Sequence, residues 1–212
     1  MPSSLQNPGE QFPVARFGAV SGGNYAEFQS DGSLVMYGNA RNWDDLLVPL
    51  TQVRQGALLK PDFDYTNVGL LFPQNDAAEI AYIIAQFSHR RASGVSAYPH
   101  IHWQQMNSNA VVFKMAYKWF ENGDAVPGSF TTISATVPTD NVFTYSSGSL
   151  AQITEFPAID GSGITGLSSL MLIKLYREDN VDGGAGDGDA LAFQFDIHFE
   201  IDMPGSRQEY VK

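Results

Sequence analysis

An all-β fold, an antiparallel β-sandwich of jelly-roll type with an extended N-terminal arm, is what three features of this sequence predict. Its long runs alternate apolar and polar residues with period two. Turn-rich stretches such as "ENGDAVPGS", "TVPTDN" and "DGSGITG" separate those runs. No run carries the spacing of an amphipathic helix, and no internal repeat points to a propeller or solenoid.

Residues 1–24 are rich in Pro, Gly, Ser, Gln and Asn without a period. They read as an extended arm that frays or orders against a neighbouring subunit. Residues 25–212 read as a single sandwich domain. Tyr25 to Phe28 and Leu34 to Tyr37, joined by a turn carrying Asp31-Gly32, predict a hairpin. "AAEIAYIIAQF" is ambiguous in isolation, because Ala and Glu favour helix while Ile80, Tyr82 and Ile84 share a strand face. The β-rich surroundings favour strand. "VVFKMAYKWF" places Phe113, Met115, Tyr117 and Trp119 on one face, with Lys114 and Lys118 on the other. "LSSLMLIKLYR" is apolar on both faces, the pattern of a strand buried between two layers. "ALAFQFDIHFEID" puts Leu191, Phe193, Phe195, Ile197, Phe199 and Ile201 on an apolar face. Its opposite face carries Gln194, Asp196, His198, Glu200 and Asp202.

Composition narrows the function classes. The 212 residues are 43% hydrophobic and 12% aromatic, enough to build a core, but only 17% charged. A net charge of −11 disfavours nucleic acid as a partner. No apolar run is long enough to span a bilayer. The start lacks a basic and apolar leader, so the expected place of synthesis is a cytoplasm. Without cysteine there are no disulfides, thiolate nucleophiles or Cys-based metal sites. Phosphate-binding loops, dinucleotide fingerprints, GxSxG elbows and HExxH motifs are absent too, and the expectation is a protein that is not an enzyme.

Four groups of residues merit separate weighing. His100 and His102 of "YPHIHW" share one strand face, with Ile101 and Trp103 on the other. His198 lies between Asp196 and Glu200 on the polar face of the late strand. If the two strands were neighbours, these imidazoles and carboxylates would converge as a ligand set for zinc or another first-row metal. The competing reading is a polar outer face whose His, Asp and Glu pair without an ion, and it is the preferred one. The loop after Glu178 offers Asp179, Asp182, Asp187 and Asp189 to calcium. It fails both the EF-hand pattern and the stacked glycine-rich calcium repeat, so a solvated turn is preferred. No cofactor and no catalytic residue is therefore assigned, with calcium and zinc as the ions to consider. Asp44 and Asp45 point to opposite faces of an extended segment, cannot clamp one bond, and are expected to cap a turn. Trp43, Tyr65 and Tyr145 are loop-like aromatics able to stack on sugar rings.

Four stretches occur in order: "NYAEFQSDGSLVMYGNARNWDDL", "YPHIHW", "ITEFPAIDGSGITGLSSLMLIKLYRE" and "FDIHFEIDMPGSRQ". Together they resemble a group of tailed-bacteriophage virion structural proteins, over most of the chain from about residue 24. The resemblance implies a non-enzymatic virion component made in a bacterial cytoplasm. Its expected partners are itself, as a homo-oligomer of trimer type, and other virion proteins such as capsid, tail or collar subunits. It would decorate or stabilise the head or form a spike- or fibre-type appendage. The alternative is a module of a head or tail fibre that binds a host-surface glycan.

Overall fold

The computed structural model describes residues 15–55, 60–73, 79–105, 111–136, 151–178 and 189–205. Fourteen strands follow one another: β1 (Ala15–Ala19), β2 (Asn24–Phe28), β3 (Leu34–Tyr37), β4 (Asn42–Pro49), β5 (Arg54–Gln55), β6 (Asp62–Asp64), β7 (Gly69–Phe72), β8 (Ala81–Gln86), β9 (Tyr98–Gln105), β10 (Val112–Phe120), β11 (Thr131–Thr136), β12 (Ala151–Glu155), β13 (Leu170–Arg177) and β14 (Ala190–Ile201). Only short 3-10 turns interrupt them among the described residues.

Two antiparallel sheets face each other. One runs β12-β9-β14-β7-β6, with β4 continuing the β7 side of β14. The other runs β11-β10-β13-β8-β5. Taking β4, β8, β9, β10, β11, β12, β13 and β14 as first to eighth, one sheet reads first–eighth–third–sixth. The other reads second–seventh–fourth–fifth. That is the strand order of a jelly roll, as the alternating pattern and turn spacing predict.

The core fills the space between the sheets. Ile101 and Trp103 of β9 and Phe195, Ile197 and Phe199 of β14 meet Ile83 of β8, Phe113 and Met115 of β10 and Ile173 of β13. Every one of these side chains is at most 3% exposed. The expected faces of β10 hold, with Phe113, Met115 and Trp119 inside. β13 differs from its expectation. Met171, Ile173 and Leu175 are buried, but the alternate residues are only half-buried. In β8 the Ile80, Tyr82, Ile84 face is the outward one, and Ala81, Ile83 and Ala85 point inward.

A β-bulge in β14 rewrites its expected apolar face. Ala192 pairs with Trp103, but the next partner pair is Gln194 with His102, so Phe193 is an extra residue in the ladder. Before the bulge Ala190 and Ala192 face the core; after it Phe195, Ile197 and Phe199 do. Leu191 therefore stands on the outer side, against Leu71 of β7. A simple period-two count cannot see such an insertion.

The expected arm of residues 1–24 also differs in its last part. Ala15–Ala19 is a strand paired with β2, and β2 pairs with β3 as the expected hairpin. Residues 1–14 lie outside the described residues. This three-stranded sheet is tied to the sandwich where the Met36 backbone N–H donates to the Asp202 carbonyl at 2.6 Å.

Candidate functional site

The outer face of the β12-β9-β14-β4 sheet collects most of the polar chemistry singled out from the sequence. Because β14 lies between β9 and β4, outward residues fall into rows that cross the sheet. One row is Asp45, His198 and Tyr98. The next is Leu47, Asp196, His100 and Glu155, and a third is Pro49, Gln194, His102 and Ile153. The neighbour relation on which the histidine reading depended is thus met: β9 and β14 are paired strands.

Their partners, however, are more specific than the expected common patch. His100 Nε2 lies 2.8 Å from Asp196 Oδ1, and His102 Nε2 lies 3.3 Å from Asp196 Oδ2. His198 instead pairs with Asp45, with Nε2 2.8 Å from Oδ1, and its ring packs on His100 at 4.2 Å between centroids. Glu200 turns away to Arg41 at 3.4 Å, so it is not part of the cluster. Asp179, Asp182 and Asp187 lie outside the described residues, and Asp189 is an exposed residue just before β14.

Asp196 is 3% exposed, and a buried carboxylate needs partners for its charge. Its nearest partner is the His100 ring, whose Nε2 faces Oδ1. Burial disfavours the charged form of His100. The Asp196 carboxylate, the Tyr98 backbone and the Asp45 charge together outweigh it and hold the imidazole pKa above its ordinary value.

Beside this cluster a concave pocket of about 610 Å³ opens on the same face. Trp43 and Asp45 from β4 form one wall, and Ile153, Glu155 and Phe156 at β12 form the opposite one. Tyr98, His100 and His198 lie between them. Trp43 is 57% exposed and Tyr98 41%, yet their rings hold each other edge-to-face at 5.2 Å. Two fixed aromatics thus present free ring surface next to carboxylates and imidazoles.

Several sequence expectations move accordingly. Trp43, Asp44 and Asp45 sit in a strand, not a loop or turn cap. Adjacent strand residues still diverge: Asp45 meets His198, while Asp44 Oδ2 holds Arg90 at 2.6 Å. Tyr65 is 86% exposed beside Phe63, away from the pocket, and Tyr145 lies outside the described residues. His89, Arg90 and Arg91, consecutive in the sequence, take separate partners, with His89 Nε2 2.6 Å from Ser168 Oγ and Arg90 on Asp44. Arg91 is buried, donates to the carbonyls of Val95 at 3.1 Å and Ile164 at 2.5 Å, and lies over Trp119. Sequence reasoning passed over Ile153 and Glu155, because nothing in a short strand says which neighbour it joins.

No family model matches this chain. No curated protein matches it either. Among solved structures the chain is similar to the CBM36-1 domain of a multidomain xylanase from the hindgut metagenome of Trinervitermes trinervoides. That match has 13% identity and a TM-score of 0.40 and covers 73% of this chain and 96% of that one. It is similar as well to a carbohydrate-binding module CBM36 in complex with calcium and xylotriose. There the identity is 10% and the TM-score 0.41, with 71% and 98% of the two chains covered.

Proposed function

We propose that this protein is a non-catalytic binding module whose outer-face pocket takes a neutral carbohydrate. The observation that carries the reading is the exposed Trp43–Tyr98 pair set against Asp45, His198 and Glu155 in one concavity. Aromatic faces left free at a surface supply apolar contact area with little conformational entropy to lose. Carboxylates and imidazoles beside them accept and donate hydrogen bonds to hydroxyl groups. A sugar ring offers both an apolar face and a rim of hydroxyls, so it matches both halves of the pocket. The net charge of −11 selects against acidic polysaccharides.

Glycan-array screening and affinity electrophoresis on neutral polysaccharides test this reading. Binding should be lost in Trp43→Ala and Tyr98→Ala while thermal melting stays unchanged, since both rings are partly exposed. A flat array, or binding that survives both substitutions, overturns it.

A second reading, a homo-oligomeric virion subunit, draws on different surface. Ile84 is 72% exposed, Tyr82 40% and Leu47 59%, and they border a groove of about 420 Å³ shared with Pro49 and Val53. Contiguous apolar surface of this kind favours subunit contact. Light scattering on wild type and Ile84→Glu decides it. A monomeric wild type at high concentration counts against the reading.

A further inference from the structure

We infer that His100, His102 and Asp196 form a binding site for a first-row divalent metal ion of the zinc class, on the outer face of the β9–β14 pair. One ligand atom from each of the three lies within 4.8 Å of the other two. They come from the middles of two long paired strands rather than from loops, so the ladder fixes their separation. Two imidazole nitrogens and one carboxylate are a donor set that zinc and its neighbours use with further positions left to water. Calcium sites, by contrast, are built from oxygens.

Two observations go beyond the coincidence of residue types. Asp196 is 3% exposed, and its two oxygens face imidazole nitrogens, Oδ1 at 2.8 Å from His100 Nε2 and Oδ2 at 3.3 Å from His102 Nε2. A carboxylate buried between two imidazoles needs positive charge beside it, which a bound cation supplies. In addition, the His198 ring packs on His100 at 4.2 Å between centroids, which holds that imidazole in place beside the carboxylate. The His102 side chain is 36% exposed, which leaves an open approach for the ion and for water. His198 is not a ligand here, because Asp45 holds its Nε2.

The test uses full-length protein without a polyhistidine tag, stripped with chelator and titrated with Zn²⁺ by calorimetry and with Co²⁺ by visible absorption. Neither measurement involves a carbohydrate, so the result is independent of the glycan reading. Saturable binding of one ion per chain is expected, with Co²⁺ developing ligand-field bands of N/O coordination. His102→Ala and Asp196→Asn should each weaken binding at least about 10–100-fold, the range seen for lost support of metal ligands, and His198→Ala should leave binding in place. If Asp196→Asn does not fold, the partly exposed His102 decides the matter. Absence of saturable binding, or wild-type affinity in His102→Ala, overturns the assignment.

Discussion

Replacing Thr154 by Val should loosen the β12 wall of the pocket by a calculable amount. The Trp103 indole N–H donates to Thr154 Oγ1 at 2.8 Å, and the two residues are 0% and 5% exposed. Val keeps the volume of Thr but strands the indole donor in the core. Leaving a buried donor unpaired costs about 1–3 kcal/mol. For a chain of this size each kcal/mol lowers Tm by about 2–4 °C, so the expected drop is about 2–12 °C. Denaturant melts of Thr154→Val, Trp103→Phe and the double variant separate the hydrogen bond from packing. In the double variant neither partner is left waiting, so the two losses should not add, with a coupling of about 1 kcal/mol or more. The same bond fixes the edge strand that carries Ile153 and Glu155, so the carbohydrate binding we propose should weaken along with stability. An unchanged Tm in Thr154→Val, or strictly additive losses, would refute the reasoning.

Three other perturbations probe the frame around the site. Deleting Phe193 removes the extra residue, so Ala192 and Gln194 become neighbours as Trp103 and His102 are, and the inward faces before and after the bulge fall on one period-two register. Cooperative melting should be kept, and its loss would show that the bulge itself is required. A Cβ at Gly161 would lie 1.9 Å from the Val95 carbonyl oxygen, a backbone atom, so Gly161→Ala should cost about 1–3 kcal/mol as overpacking. Unchanged denaturant melts would contradict that contact. Asp64 titrates below the ordinary carboxyl range because the side chain and backbone of Asn67 and the backbone of Thr66 donate to it. Asp160 does so because of the Ser162 backbone and hydroxyl. Since these folded-state values are lowered, their stabilisation is present above the unfolded value of about 3.9 and is lost as pH falls through the folded ones. Carboxyl ¹³C titrations should show both shifts, and midpoints in the ordinary range would remove the effect.

The alternation in β10 and β14 was legible because a half-buried strand can put apolar residues on one face only. That requirement is local, and it sufficed to read the fold class and to place Ile101 and Trp103 inward. Likewise His100 and His102 had to share the outer face, because strand geometry alone decides which side chains lie together. The bulge at Phe193 was not legible, since one inserted residue leaves composition and spacing almost unchanged while moving Leu191 to the other side. Nor did the apolar pattern of β13 reveal that one of its faces is only half-buried.

Partners across strands belong to the tertiary structure. Asp196 met His100 and His102, and Asp45 met His198, because β14 was inserted between β9 and β4, strands far apart in the chain. Trp43 became a pocket wall only when β4 joined that sheet opposite β12. Hydrophobic periodicity is written residue by residue, so the sequence by itself determined which side chains turn outward together. Strand order depends on which distant segments bury each other best, and only the folded sheet decided which outward side chains became neighbours.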